Sequence, residues 1–161
     1  MIRLGDPGPQ TTVQDFGRPG HLRDGIPPSG PMDVRSFVIA NRLVGNADGA
    51  AALECTVLGP RFTAQAPCAI AVTGAETTVT VNDEPVSQWA SVALKAGDRV
   101  RVGAARAGVR MYVAFSGGID VPPALGSRST YLRGRLGGLG GRALRRDDTL
   151  TLRAAPLPSS R

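Results

Sequence analysis

The chain is poor in the residues from which many catalytic centres are built. In 161 residues it has one histidine, His21, one lysine, Lys95, two cysteines and 4% aromatics. A single histidine excludes a histidine-rich metal site and any His/Cys cluster, so no metal ligands are assigned. A Ser-His-Asp triad would have to recruit His21, which lies in a loop without a nucleophile-elbow motif. No G-x-x-x-x-G-K-[ST] segment occurs, which excludes a Walker-type nucleotide loop. The scarcity of aromatics, with no nucleic-acid motif, argues against recognition of nucleic acid by base stacking. No run of about eighteen apolar residues is present, so no membrane-spanning helix is expected. The start, MIRLGDPG, lacks the basic and apolar regions of a signal peptide. The expected location is therefore cytoplasmic, with Cys55 and Cys68, both in apolar strand-like contexts, as reduced core residues.

Arginine is abundant and unevenly placed. Residues 1–98 carry seven Lys/Arg against ten Asp/Glu, a net −3, whereas residues 99–161 carry twelve Arg against three Asp, a net +9. Such a basic half fits an acidic partner better than nucleic acid, given the missing motifs.

Turn residues punctuate the chain at short intervals. Ile2-Arg3-Leu4 and Thr11–Gln14 are expected as short strands around a GDPGP turn. Further strands are expected at 51–57, 61–64, 68–72, 77–81, 91–94, 99–102, 109–115 and 149–152. TTVTVNDEPV alternates and turns at Asn82-Asp83, and SVALKAGDRVRV reads as a second hairpin turning at 96–98. Many short strands with regular turns predict a sandwich or barrel, hence a mainly β domain. The glycine-rich segment from Ser116 through GRLGGLGG is expected as a surface loop. Its backbone N–H groups, with Arg133, Arg135 and Arg142, could receive an anion or simply be solvated. The domain is expected over 1–153, with 154–161 a linker or disordered tail.

One helix is expected near 33–44. Asp33 supplies an N-cap, Met32 and Phe37 are placed for a hydrophobic staple, and Gly45-Asn46 ends it. Val34, Phe37, Val38, Ala40 and Val44 share an apolar face, and Asn41 falls within it. A buried amide there needs partners, and Asn41 is expected to peg the loop that precedes the helix. That loop, 15–31, is too long for a simple connection.

Three polar sets and one carboxylate can carry chemistry. Gln14, Asp15 and Arg18 mark the strand-to-loop junction, where an Asp/Arg pair either braces the loop or positions a carboxylate-bearing substrate. Ser29, Gly30 and Asp33 stand at the helix start, whose N–H groups favour anions. Ser127, Arg128 and Ser129 are expected in an exposed loop, with Arg128 gripping a carboxylate or phosphate, or contacting a partner. Glu54 begins a buried strand, where it either finds a partner or stays protonated. It is the best acid/base candidate.

The segments TTVQDFGRPGHLRDGIPPSGPMD, SFVIANRLVGNADGAAALE and FSGGIDVPPALGSRSTYLRGRLGGLGGRAL together resemble the N-terminal lobe of the C subunit of bacterial 5-oxoprolinase. The same family is called allophanate hydrolase subunit 2, or biotin-dependent carboxyltransferase-like. The likeness runs from Met1 to about Leu152. It implies a cyclophilin-like β-barrel with one principal α-helix. It also implies membership of an ATP-dependent amidohydrolase complex. The partners there are the enzyme's A subunit and its B subunit, the latter allophanate hydrolase subunit 1-like, and ATP acts through the complex. In the family a second, related lobe follows, so this chain alone is expected to be inactive. On this reading Asp15 or Glu54 would guide water, and Arg18 and Arg128, with Ser29, Ser127 and Ser129, would bind substrate or phosphate; Asp33 and Asn41 would be structural. Two alternatives stay open: the carboxyltransferase component of a biotin-dependent urea-type carboxylase, and a non-catalytic binding or regulatory subunit.

Overall fold

A computed structural model describes residues 1–155. The chain runs β1 (Ile2–Asp6), β2 (Thr11–Gln14), a 3-10 turn (Leu22–Asp24), α1 (Val34–Leu43), β3 (Ala52–Thr56), β4 (Arg61–Ala64) and β5 (Cys68–Glu76). It continues β6 (Val79–Val81), β7 (Glu84–Val86), β8 (Val92–Leu94), β9 (Arg99–Val102), β10 (Ala107–Phe115) and β11 (Thr149–Leu150). The fold is mainly β with one principal helix, as expected. Its strands form two antiparallel sheets, ordered β11-β1-β4-β9-β6-β7 and β2-β3-β10-β5-β8, and the barrel between them is not closed.

Strand alternation explains both faces of the second sheet. Met111, Val113 and Phe115 of β10 and Leu53 and Cys55 of β3 enter the core between the sheets, where they meet Ile2, Leu4, Phe62 and Val100 from the first. The intervening Tyr112 and Ala114, with Ala52, Ala69 and Ala71, face outward under Phe37 and Ala40 of α1 and Val44, which caps it. Four alanines on that face let the helix lie close, and Phe37 packs edge-on against Tyr112 at 6.0 Å between ring centres. Both cysteines are free and buried.

The helix begins as expected: the Asp33 carboxylate accepts from Ser36 N at 3.0 Å. Ser36 Oγ also donates to it at 2.5 Å, and these bonds hold the Asp33 pKa below the ordinary carboxylate value. Several local expectations need correction. No staple forms, because Met32 is 72% exposed; Val34, assigned to the apolar face, is 52% exposed, and Phe37 turns instead to Phe16 and Tyr112. Asn41 is fully buried but pegs the loop after the helix, not the one before it, donating to Asp48 O and Ala50 O. The expected 91–102 hairpin does not exist. β8 pairs with β5 and β9 with β4 and β6, so the turn at 96–98 carries the chain from one sheet to the other. The hairpin at Asn82-Asp83 does form, both residues taking the left-handed conformation that suits a tight two-residue turn. Its second strand, β7, was implied by that turn but was not given a range of its own. The expected tail at 154–161 lies, from 156 onward, outside the described residues.

Candidate functional site

The polar candidates separate into a buried hub and two clefts. At the hub Asp15 holds the 127–129 segment, whose backbone lies beside it although more than a hundred residues later in the chain. Asp15 Oδ1 accepts from Ser127 Oγ at 2.5 Å, Ser129 Oγ at 2.8 Å and Gly17 N at 2.9 Å, and Oδ2 accepts from Arg128 N at 2.6 Å. Burial disfavours the Asp15 charge, but these four bonds outweigh it and keep the pKa below the ordinary value. Ser127 and Ser129 are fully buried, which corrects the expectation of an exposed loop. Their hydroxyls are committed to Asp15.

Arg18 is also in the hub and only 1% exposed. It does not pair directly with Asp15. Nε donates to Ala124 O at 3.2 Å, Nη1 to Ser29 Oγ at 3.2 Å, and Nη2 to Ser129 O. Burial lowers its pKa and the nearby Asp15 charge opposes that shift. A guanidinium in this position ties the 15–31 loop to the 124–129 segment and has no surface to offer a phosphate. Gly137, at φ +68°, completes the enclosure: a Cβ there would stand 2.6 Å from Arg18 Nη2.

Glu54 lies on the other side of β2. It is 9% exposed and has found its partners: Oε2 accepts from Tyr112 OH at 2.8 Å and from Met32 N at 2.8 Å. The Tyr112 hydroxyl accepts in turn from Asp33 N at 2.8 Å, and burial and then the Glu54 carboxylate push its pKa well up. At the helix start Met32 N and Asp33 N are thus engaged by Glu54 and Tyr112, and Ser36 N of the first turn by the Asp33 carboxylate. Among the described residues, the nearest cation to Oε1 is Arg110, whose Nη1 is 4.0 Å away. Glu54 lines a cleft of about 350 Å³ with Gln14, Ser29, Gly30, Thr130 and Arg133. Gln14 shapes one wall, its Oε1 accepting from Gly30 N and its Nε2 donating to Thr12 Oγ1 and Thr130 O.

Arg128 does not reach this cleft's lining. Its backbone N–H serves Asp15, and the residue borders two other clefts, one with Arg153 and an adjoining one with Asp120. The structure therefore divides residues that were expected to share one site. Asp15, Arg18, Ser127 and Ser129 form the hub; Glu54 and Ser29 face one cleft; Arg128 faces another. Tyr112, Thr130 and Arg153 were not singled out from sequence. Tyr112 is opposite Glu54 only through the β3–β10 register, which no local pattern discloses. Among the described residues no group of three His, Cys, Asp or Glu is placed to hold a metal, and no helix is long and apolar enough to cross a membrane.

This open barrel, with one helix on its outer face, is a carboxyltransferase-type domain. The chain belongs to the family described as carboxyltransferase domain, subdomain A and B, which matches residues 24–161. It is 46% identical over 155 residues to the urea amidolyase of Lachancea kluyveri, covering 96% of this chain and 8% of that protein. To the 5-oxoprolinase C subunit of Escherichia coli (strain K12) it is 40% identical over 152 residues, covering 94% of this chain and 49% of that one. The crystal structure of the K. lactis urea amidolyase superposes with a TM-score of 0.93 at 44% identity, over 98% of this chain and 10% of that one. The chain thus spans less than half the length of each of these proteins. One of these relatives is named as an enzyme subunit, and the others are enzymes of which the match covers a short part.

Proposed function

We propose that this chain supplies one lobe of an ATP-dependent amidohydrolase of the 5-oxoprolinase type, acting on a cyclic or linear amide C–N bond. The supporting observation is the asymmetric hold on Glu54. One carboxylate oxygen takes hydrogen bonds from Tyr112 OH and Met32 N, and the other, among the described residues, has only Arg110, at 4.0 Å. A carboxylate anchored in this way can orient a water at the cleft and take its proton. An amide carbonyl is a poor electrophile, and phosphoryl transfer from ATP to its oxygen would ease attack. Arg133, lining the same cleft, is the cation placed for the developing charge, and Ser29 and Thr130 offer polar walls. Arg18 and Arg128 are withdrawn from that role by their positions. Asp15 is a structural anion here, with both oxygens occupied.

In this reading the catalytic unit is a cytoplasmic hetero-oligomer. ATP binds through the A-type and B-type partners, and the second family lobe completes the site. The chain alone should hydrolyse neither 5-oxoproline nor allophanate, and its contact with the B-type partner should bury upwards of about 1,200 Å². A second reading is supported by the 46% identity to a urea amidolyase: the carboxyltransferase part of a biotin-dependent urea carboxylase. Assembly with both partners and the second lobe separates the two. The first reading expects ATP hydrolysis dependent on 5-oxoproline, with Glu54→Gln reducing kcat by about 100-fold or more. Biotin-dependent carboxylation of urea by the assembly would favour the second. Full activity of Glu54→Gln would remove Glu54 from the chemistry.

A further inference from the structure

The cleft bordered by Arg128 and Arg153 has features that the Glu54 cleft does not explain. It has a volume of about 420 Å³ and lies between the 45–51 loop and the Gly117–Ile119 turn. Asn46 fixes those two walls to each other: its Nδ2 donates to Phe115 O at 2.8 Å, and its Oδ1 accepts from Gly117 N at 2.8 Å. The walls are also thin. Gly117, at φ +86°, leaves no room for a Cβ against Arg153 O, and a Cβ on Gly118 would approach that of Ala50 to 3.1 Å. The result is a rigid concavity of backbone, small side chains and two guanidinium groups.

The charges at its edge, where Arg128 also borders an adjoining cleft lined by Asp120, do not balance. Asp120 is the carboxylate shared by the two arginines: Arg153 Nε is 3.3 Å from its Oδ1, and Arg128 Nη2 is 3.9 Å from the same oxygen. Two cations around one anion leave a surplus of one positive charge. Arg128 is the more loosely held of the pair. Its Nε is buried and, among the described residues, is the side-chain polar atom left without a hydrogen-bond partner. A donor shielded from water and unpaired is costly, and turning the guanidinium toward an acceptor in the cleft recovers the loss. The Nε and Nη2 edge of a guanidinium matches the two oxygens of a carboxylate.

We propose that this cleft is a binding site for a small monocarboxylate, toward which Arg128 turns its Nε and Nη2 edge, with the charge of Arg153 beside it. A monocarboxylate neutralises the surplus charge, whereas a phosphate dianion would leave an excess negative charge beside Asp120. The small apolar walls, Ala50, Ala51 and Ile119, receive the organic part of the ligand. The site is separate from the Glu54 cleft and does not rest on the amidohydrolase reading.

The Nε–H resonance of Arg128 is a direct reporter. Nitrogen-15 spectra of the chain would be recorded during titration with sodium acetate, sodium 5-oxoproline, sodium phosphate and sodium chloride at matched ionic strength. Acetate, with so few atoms, should saturate no tighter than about the tens-of-micromolar range. Both carboxylates should shift the Arg128 Nε–H progressively to saturation, and phosphate should bind at least several-fold more weakly. Arg153→Gln, a change at a half-exposed position, should weaken the carboxylates by about tenfold through loss of a nearby charge. Arg128→Lys should abolish saturable binding while the remaining spectrum stays dispersed. A shift reproduced by chloride, phosphate binding as tight as carboxylate, or undiminished binding in Arg128→Lys would overturn the proposal.

Discussion

Asp15 turns one side chain into the joint between the start and the end of the chain. Four donors converge on it, two of them from residues 127 and 129. Asp15→Asn keeps the shape but replaces an acceptor with an amide that cannot accept from all of them, and should cost about 3 kcal/mol in urea unfolding. Its pKa is lower in the folded state than in the unfolded chain. Its contribution is therefore fully present above about pH 4 and is lost as pH falls through the lowered folded value. The wild-type urea midpoint should drop on acidification through that window, and Asp15→Asn should show a shallower drop. Asn41 poses the same question inside the helix–sheet layer. Asn41→Ala leaves Ala50 O without its donor and should lower stability by about 1–3 kcal/mol. For Asn41 the sequence announced a buried polar role but not the partners, whereas Asp15 was legible only as a loop brace or a substrate contact. A carboxylate's need for donors is local chemistry. Which donors it receives is set by pairings across more than a hundred positions, so Ser127 and Ser129, in a segment rich in glycine and proline, looked like surface.

At the scale of elements, the helix start offers a paired test. Asp33→Ala removes the acceptor of Ser36 N and should cost about 0.5–2 kcal/mol. Met32→Ala should change stability by less than about 0.5 kcal/mol, because Met32 is exposed and staples nothing. Thermal melts of the two variants side by side check both values. Strands that alternate cleanly, such as β4 and β9, were legible to the residue. The Asp33 cap was equally plain, since a cap is made by neighbours in sequence. β7, Glu-Pro-Val, carries neither alternation nor enough apolar residues to declare itself, and it exists because β6 offers an edge. The turn at Ala96-Gly97-Asp98 was visible, yet a turn signal does not say whether the strands on either side join one sheet or two. That choice is made by the core: Leu94 and Val100 both enter it, from opposite sheets.

For the whole molecule, the core predicts how the thiols behave. Burial pushes Cys55 up to about 12 and raises Cys68 as well. Thiolate is the reactive form, so a disulfide reagent at pH 8 should label neither cysteine in the native chain and both once denaturant unfolds it. Prompt labelling of Cys55 under native conditions would mean that the two sheets part readily. The family and the mainly β fold were legible because the matching segments are long, whereas the division of the polar residues between hub and clefts was not, because it is a property of the assembled sheets. The buried Arg18 also carries a consequence for the time course of folding. Its acceptors on Ala124 and Ser129 lie 106 and 111 residues further along. During synthesis at about 5–20 residues per second, the ribosome needs roughly 5–20 s after making Arg18 to supply them. Until then the guanidinium has only Ser29 Oγ and solvent, and the 15–31 segment has no fixed seat. The loop that walls the glutamate cleft is thus among the first parts made and among the last set in place.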